Sequence, residues 1–249
     1  MTEKLFYTDS HLQEFTAEVV SCRPCDNGYE AVLSRTAFFP EGGGQAADTG
    51  VIDGIRVYDV QEKGEQIFHY LEGELEEGKT VTGQIDWDKR FSRMQQHSGE
   101  HIVSGIVHAR FGYDNVGFHL NDELCTLDLS GPLTKEELRE VENAANEAVF
   151  ANVPVQISYP SKEKLKTLDY RSKIEIDGQV RIVTIPGYDV CACCAPHVYF
   201  TGEIGLIKLV QSQNYKGGIR ITMLCGRRAL KDYPVSYTHL RAHETTLHL

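Results

Sequence analysis

Two pairs of metal-binding side chains lie far apart in the sequence but have the same spacing. His97 and His101 are four residues apart in QQHSGEHIV, and Cys193 and His197 are four residues apart in CACCAPHV. The first pair lies in a segment that predicts a helix, where residues four apart share one face. Three imidazole nitrogens and one thiolate are a donor set that zinc binds tetrahedrally. The sequence therefore predicts one zinc site.

Other interpretations of these residues are open at this point. Histidines at helical spacing also occur without any metal, and Cys191 or Cys194 could replace Cys193 as the sulfur ligand. Glu100 completes an H-x-x-E-H pattern, in which the carboxylate would be the general base of a zinc peptidase. Its direction on the helix differs from that of His101 by about 100°, and a CxxxH pair stands where such a peptidase has a carboxylate ligand. A structural zinc module that binds RNA without turnover is the third interpretation.

The length and composition limit the class of protein. A chain of 249 residues can form one large domain or two smaller ones. Contents of 41% hydrophobic and 24% charged residues are typical of a soluble globular protein. No run approaches the roughly 18–20 apolar residues of a membrane span, and MTEKLFYTDS has no hydrophobic signal core. We therefore expect a cytoplasmic protein without a membrane partner. The sequence does not indicate an oligomeric state.

Cysteine usage and charge point to a reduced compartment and a polyanionic partner. Three of the seven cysteines crowd into CACC, which favours thiols kept for metal over a disulfide framework. Residues 1–90 carry 18 acidic and 8 basic side chains, whereas residues 161–231 carry 6 acidic and 12 basic ones. RNA would therefore approach the second region, unless its charges are only a solvated face. The basic side chains expected there are Lys162, Lys164, Lys166, Arg171 and Lys173.

The patterning changes near residue 90. Residues 1–90 contain short β-rich runs separated by Gly, Asp and Asn, which predict a small, mostly-β barrel that carries the glycine-rich loop FFPEGGGQAADTG. Residues 91–234 predict an α+β domain. A first helix is expected from Asp88 to Gly112, and a second near 135–151 opened by a capping box of Thr134 and Glu137. Two of the later strands are predicted near 173–185 and 204–211.

Residues 235–249 continue none of these patterns. The segment SYTHLRAHET resembles translated adapter or vector sequence. We therefore expect a non-native tail, and its histidines are not ligand candidates.

The order of the motifs resembles a known family. HxxxH on a helix, followed by CxxxH and TGEIG, is similar to the editing domain of alanyl-tRNA synthetase and to its free-standing relatives, the AlaX-type trans-editing proteins. TAFFPEGGGQAADTG is similar to the glycine-rich segment of the longer AlaX proteins, which carry a small β-barrel before the editing domain. The second motif departs from the synthetase form CGGTH, because it reads CCAPH here. Longer members continue beyond GGIRITMLCGRRALKDY, so we expect a chain truncated at its C-terminus.

The resemblance implies a reaction and a set of site residues. The reaction is hydrolysis, in trans, of the ester that joins serine or glycine to alanine tRNA, by a deacylase with Zn²⁺ as cofactor and mischarged alanine tRNA as partner. Four protein ligands would fill a tetrahedral zinc shell, so the metal either activates water or only organises the pocket. The implied metal ligands are His97, His101, Cys193 and His197, and the implied substrate-binding residues are Gly42, Gly43, Gly44 and Gln45.

Thr36 is the expected catalytic residue, with the task of selecting serine. A pocket that holds serine also admits alanine, so size cannot separate them. A buried group that hydrogen-bonds the serine hydroxyl can, because alanine leaves it unpaired, by factors up to about 10⁴–10⁵. The longer AlaX proteins carry a threonine at this place, although a β-branched strand residue is the alternative interpretation. On this expectation, Thr36→Val lowers seryl-tRNA hydrolysis and leaves the fold and zinc content unchanged.

Overall fold

The computed structural model describes residues 1–172 and 178–232. Within these two ranges the chain forms fifteen strands, three α-helices and two short 3-10 helices. The helices are α1 (Trp87–Phe111), α2 (Lys135–Ala151) and α3 (Lys162–Leu165), and the 3-10 helices are Leu5–Tyr7 and Thr201–Ile204. The strands are β1 (Glu3–Lys4), β2 (Glu14–Cys25), β3 (Gly28–Leu33), β4 (Arg35–Thr36), β5 (Gly50–Ile52), β6 (Ile55–Lys63), β7 (Gln66–Leu71), β8 (Thr80–Ile85), β9 (Asn115–Leu120), β10 (Cys125–Leu129), β11 (Gln156–Ser158), β12 (Ile182–Ile185), β13 (Asp189–Ala192), β14 (Ile207–Tyr215) and β15 (Gly218–Cys225).

Six strands that precede α1 close into a barrel in the order β2-β3-β7-β6-β5-β8. Every neighbouring pair is antiparallel. Side chains alternate between the two faces of a strand, and the first six residues of β2 accordingly alternate between exposed and buried. Val57, Ile67 and Leu71 are fully buried in the barrel core.

β1 and β4 form a two-stranded parallel sheet, and from α1 onward the described chain combines helices with two antiparallel sheets. One sheet has the order β14-β15-β10-β9, and the other has the order β11-β12-β13. Helices α1 and α2 share a single apolar core with the four-stranded sheet, in which Ile102, Leu127, Val141 and Ile221 are fully buried. This is the α+β class that the sequence predicts. The division into domains at 1–90 and 91–234 stays a prediction.

Helix α1 runs through the interior of the protein. Its N-cap is Asp86, two residues before the predicted cap Asp88. Its last residue, Phe111, is followed by Gly112, whose φ of 69° lies in the left-handed region. Between residues 93 and 107 every side chain is buried. Most helices of this length bury one apolar stripe and expose a polar face. The buried polar residues of α1 therefore need partners from the surrounding elements, and these partners form the candidate site.

A glycine allows the β12–β13 hairpin to pack directly on α1. A Cβ atom at Gly105 would collide with the carbonyl oxygen of Tyr188. The absence of a side chain lets the two backbones approach each other closely. Asp189, the next residue and the first of β13, is thereby placed beside the helix.

The glycine-rich loop forms a tight turn that is anchored to β9. Gly42 and Gln45 exchange two backbone hydrogen bonds of 3.1 and 3.0 Å. Gly44 has a φ of 81°, and a Cβ atom there would collide with the carbonyl oxygen of Phe118. Its own carbonyl oxygen accepts the N–H of Leu120 at 2.7 Å. The loop is therefore held against the second half of the chain.

A buried ion pair joins the barrel to the first turn of α1. The fully buried guanidinium of Arg90 bonds the carboxylate of Asp48, with a distance of 2.9 Å from Nε to Oδ2. It also donates to the carbonyl oxygens of Ala37 at 2.5 Å and Ser10 at 3.0 Å. Each contact links α1 to the segment around the glycine-rich loop or to the N-terminal segment.

Several local predictions can be compared with the structure. The capping box of α2 is confirmed, since Thr134 Oγ1 accepts the N–H of Glu137 and Glu137 accepts the N–H of Thr134. The strand predicted at 204–211 is wrong at its start, because a 3-10 helix occupies Thr201–Ile204. The strand predicted at 173–185 begins at Ile182 within the described residues, and the predicted tail at 235–249 lies outside them. No helix in the described ranges is long and apolar enough to span a membrane.

Candidate metal centre

The four predicted metal ligands converge in the structure. His97 and His101 lie on α1, and Cys193 and His197 lie on the loop that follows β13. One donor atom from each residue lies within 4.8 Å of the others, and all three histidines are buried. Helical spacing aligns the first pair, and the hairpin on Gly105 brings the second pair to it.

The distances between donor atoms suit a tetrahedral zinc ion. Zinc binds sulfur at about 2.3 Å and imidazole nitrogen at about 2.0–2.1 Å. At a tetrahedral angle these bonds place sulfur and nitrogen about 3.6 Å apart. Cys193 Sγ lies 3.6 Å from His97 Nε2 and 3.4 Å from His197 Nε2. The donor set and its spacing therefore fit zinc.

Each of the three histidines has a hydrogen-bond partner at Nδ1. His97 contacts Gln45 Oε1 at 2.9 Å, His101 contacts Asp189 Oδ2 at 2.8 Å, and His197 contacts Ser98 Oγ at 3.0 Å. A partner that accepts the Nδ1–H leaves the lone pair on Nε2, which is the arrangement seen around metal-binding histidines. All three partners therefore orient Nε2 toward the centre.

The electrostatics at the centre favour a thiolate and a neutral imidazole. Burial by itself would raise the pKa of the Cys193 thiol, but the surrounding histidines lower it well below its ordinary value. Burial lowers the pKa of His197 to about 3. A thiolate and an uncharged ring are the forms that bind a metal ion.

The two neighbouring cysteines have other surroundings. Cys191 forms a separate group of donor atoms with His101 and Asp189, and this group does not include His97, Cys193 or His197. Cys194 lies beside the glycine-rich loop, with its Sγ 3.4 Å from the position that a Cβ atom of Gly43 would take. The geometry favours Cys193 as the sulfur ligand, and the assignment of ligands stays a prediction.

Gln45 connects the glycine-rich loop to the centre. Its Oε1 accepts the Nδ1–H of His97, while its buried Nε2 has no hydrogen-bond partner in the part of the chain that the structure describes. An unpaired buried amide group costs about 1–3 kcal/mol, so such a group points to a ligand or a water. The loop residues predicted to bind substrate thus adjoin the predicted metal ligands.

Thr36 is the second residue of β4, and its hydroxyl is already hydrogen-bonded to His69 of the barrel strand β7. Thr36 Oγ1 accepts the N–H of Phe38 at 3.1 Å and lies 2.8 Å from His69 Nε2. His69 Nδ1 faces the carbonyl oxygen of Ala31, and burial lowers the pKa of His69 to about 4. The neutral ring therefore donates from Nδ1 and accepts the Thr36 hydroxyl proton at Nε2. Thr36→Val would leave two buried groups without a partner, so we expect it to lower stability, and the expectation that the fold is unchanged stays a prediction.

Glu100 is bound on another side of α1. Its carboxylate accepts hydrogen bonds from Ser104 Oγ at 2.5 Å and from the side-chain amide of Asn115. It does not belong to the group of converging donor atoms. A general base needs access to the water at the metal, so the peptidase interpretation loses its key residue.

The residues of the predicted basic face differ in exposure. The three α3 lysines are exposed: Lys162 and Lys164 lie in the helix, and Lys166 caps its C-terminal end. Arg171 instead forms an ion pair with the buried Asp189, and only 12% of its side chain is exposed. Lys173 lies outside the described residues. The expectation that Arg171 binds RNA phosphate is therefore wrong.

Comparison with known proteins finds similarity to tRNA synthetase domains and to editing proteins. The model for the threonyl and alanyl tRNA synthetase second additional domain matches residues 180–222, and that for class II (A) tRNA synthetases matches residues 4–89. The chain is 34% identical over 240 residues to the alanyl-tRNA editing protein AlaX-L of Pyrococcus horikoshii, and 32% identical over 241 residues to the alanyl-tRNA editing protein Aarsd1 of Rattus norvegicus. The chain is therefore similar, over about nine tenths of its own length, to alanyl-tRNA editing proteins.

The similar proteins are longer than the chain itself. The match to the Pyrococcus protein covers 92% of the chain and 59% of the relative, and the match to the rat protein covers 90% and 58%. An alanine–tRNA ligase from Ignicoccus hospitalis is 34% identical over 245 residues, which cover 93% of the chain and 27% of the ligase. The chain therefore spans less than two thirds of these relatives.

Sequence reasoning missed the roles of two residues beside the centre. Asp189 contacts the ligand His101, and Arg171 contacts Asp189. Asp189 precedes Cys193 by four residues, but an aspartate that opens a strand has no spacing rule to mark it. Arg171 is part of a lysine-rich segment, whose composition suggested a surface role. Neither the position of Asp189 in the sequence nor the composition around Arg171 could reveal that the two residues form a buried ion pair.

Proposed function

We propose that this chain hydrolyses the ester bond of mischarged alanine tRNA in trans, with serine as the amino acid removed, glycine as a second substrate, and zinc as the cofactor. The observation that carries the proposal is the buried group of three histidines and Cys193, whose His97 is hydrogen-bonded to Gln45 of the glycine-rich loop. The names of the similar editing proteins support the same reaction.

In the proposed reaction the side chains near the metal orient the ester. Zinc held by His97, His101, Cys193 and His197 would supply a Lewis acid beside the ester carbonyl. Four protein donors complete a tetrahedral shell, so neighbouring polar groups must do part of the work. The unpaired Nε2 of Gln45 is the donor best suited to it, because a carbonyl oxygen or a water would satisfy this amide.

The glycine-rich loop would bind the substrate through its backbone N–H groups. Gly43 and Gly44 have positive φ values, and the absence of side chains leaves their N–H groups approachable, whereas the N–H of Gly42 is already donated to Gln45. Residues 1–90 would then be a separate barrel domain that presents this loop and Gln45 to the metal centre. The closed order of the six strands supports that division.

Thr36 would select serine as a hydrogen-bond acceptor. A hydroxyl has one proton and two lone pairs. The Thr36 proton is donated to His69, and one lone pair accepts the N–H of Phe38. The remaining lone pair can accept a serine O–H, which alanine lacks. This arrangement gives the proposed discrimination a definite direction, since Thr36 would favour substrates that donate a hydrogen bond.

The tRNA would dock along the exposed lysines of α3. Residues 1–90 carry a net charge of −10 and would repel phosphate. The lysines of α3 face solvent and have no carboxylate partner among the ion pairs of the described residues. They can therefore release counterions on binding RNA.

Deacylation assays test the proposal directly. Alanine tRNA charged with serine, glycine or alanine is incubated with the zinc-loaded chain, and the surviving ester is followed over time. We expect rapid loss of serine, some loss of glycine and retention of alanine. Cys193→Ser should abolish the loss, and Cys191→Ser is the matched control that should retain it. Tight tRNA binding without hydrolysis would support a structural module instead, and cleavage of peptides would support a peptidase.

A further inference from the structure

A buried chain of contacts leads from a predicted metal ligand to Arg171. His101 Nδ1 lies 2.8 Å from Asp189 Oδ2. Arg171 donates to both oxygens of the same carboxylate, from Nε to Oδ1 at 2.8 Å and from Nη2 to Oδ2 at 2.9 Å. Only 2% of the Asp189 side chain is exposed. Nothing in the sequence motifs or in the proposed function assigns a role to this pair.

We propose that Asp189 and Arg171 are positioning residues of the metal centre. Arg171 holds the carboxylate of Asp189 in the orientation that accepts the Nδ1–H of His101, which keeps the Nε2 lone pair of His101 directed at the metal. The inference rests on the proposed metal centre and adds to it the groups that fix one ligand.

His101 is anchored differently from the other two histidines. Gln45 offers His97 a neutral amide oxygen, and Ser98 offers His197 a hydroxyl. Asp189 offers His101 a carboxylate, and hydrogen bonds to an ionised acceptor are about twice as strong as neutral ones. A carboxylate behind a metal-binding histidine also increases the basicity of the ligand. His101 is therefore expected to be the most firmly oriented of the three.

The backbone around the pair is fixed on both sides. The N–H of Arg171 donates to the carbonyl oxygen of Val190 at 2.8 Å, and the N–H of Ala192 donates to the carbonyl oxygen of Arg171 at 2.9 Å. Residue 171 thus extends the sheet beside β13. The close contact at Gly105 presses the other end of the hairpin onto α1. The carboxylate of Asp189 is therefore held between α1 and residue 171, which are both packed against the β12–β13 hairpin.

Arg171 also prevents a competing metal position. His101, Asp189 and Cys191 form a second group of donor atoms within 4.8 Å, which shares His101 with the first group. The guanidinium occupies both carboxylate oxygens and places a positive charge beside them. A cation at this second position would face that charge and lack free oxygen donors. Removing Arg171 is therefore expected to let the metal or the His101 ring adopt the wrong arrangement.

Substitutions at both residues separate orientation from charge. Asp189→Asn keeps the size of the side chain, which matters because Asp189 and Arg171 line a cavity of about 760 Å³ that a smaller residue would open onto His101. Arg171→Lys keeps the charge but loses the two-pronged contact. Asp114→Asn is the matched control. Asp114 contacts His108, another histidine of α1, at 3.0 Å, and both side chains are exposed.

The readouts are the zinc affinity by competition with a chelator and the visible spectrum of the Co²⁺-substituted protein. We expect Asp189→Asn to weaken zinc binding about 10–100-fold, the range measured for such partners of metal ligands. Arg171→Lys should also weaken zinc binding and shift the Co²⁺ bands, while Asp114→Asn should change neither. Circular dichroism of the chelator-treated proteins establishes that each variant is folded.

The outcomes distinguish this inference from the proposed function. Wild-type affinity and spectrum in both Asp189→Asn and Arg171→Lys would overturn the positioning role, even if the chain deacylates tRNA. Wild-type behaviour of Arg171→Lys alone would show that charge suffices and would overturn the role of the two-pronged contact. Failure of the proposed centre would be seen elsewhere, as unchanged zinc content in the Cys193→Ser variant.

Discussion

Replacing Thr36 with valine is expected to lower both stability and serine selectivity. Valine keeps the branched shape and removes the hydroxyl, so the N–H of Phe38 and the Nε2 of His69 lose their partner inside the barrel. Each unpaired buried polar group costs about 1–3 kcal/mol. The free energy of unfolding should therefore fall by about 2–6 kcal/mol. For a chain of this size the midpoint of thermal unfolding should fall by roughly 4–24 °C.

The assay compares the zinc-loaded wild type with Thr36→Val and Thr36→Ser. Serine keeps the hydroxyl and removes one methyl group, which costs about 1 kcal/mol. Differential scanning calorimetry gives the unfolding midpoints. Deacylation is then measured at a temperature where all three proteins are folded. Thr36→Val should lose hydrolysis of the serine ester but not of the glycine ester, and Thr36→Ser should retain both.

Two results would refute separate parts of this reasoning. A valine variant that unfolds at the wild-type temperature would contradict the hydrogen bonds of Thr36 with Phe38 and His69. A valine variant that is less stable but keeps its full preference for serine over alanine would confine Thr36 to a structural role in the barrel. Equal losses for serine and glycine esters would point to a displaced loop rather than a lost contact with the serine hydroxyl.

Three further predictions concern the metal, the RNA and the pH. Cys193→Ser should lower the zinc content measured by elemental analysis and Cys191→Ser should not, and the reverse would reassign the sulfur ligand. Replacing the three lysines of α3 with alanine should weaken tRNA binding and flatten its logarithmic salt dependence by about 2–3 units; an unchanged slope would place the RNA elsewhere. Burial lowers the pKa of His69 to about 4, so the unfolded chain takes up this proton first as the pH falls. About 3 kcal/mol of stability should thus be lost between pH about 6.5 and about 4, and urea unfolding of His69→Gln should show a smaller loss over the same range.

Spacing identified the residues of the centre but not their surroundings. His97 and His101 could be paired because helical geometry fixes residues four apart, and Gly112 could be recognised as a helix end because left-handed backbone favours glycine. The partners of the histidines come from a loop of the barrel, from α1 itself and from β13. Their positions depend on how separate elements pack, which no local pattern records. Arg171 was misread for the same reason, because composition cannot distinguish an exposed cation from one paired with a buried carboxylate.

A cut immediately before α1, close to the boundary between the two predicted domains, would leave a buried charge on each side without its counterpart. Arg90 is fully buried, and its partners Asp48, Ala37 and Ser10 all lie in the first piece. Removing one member of such a pair costs about 3–5 kcal/mol. A single gene segment that encodes both regions is therefore the unit most easily transferred between proteins. The ligase relative is consistent with such a unit, since the match over 245 residues spans both regions within a much longer protein.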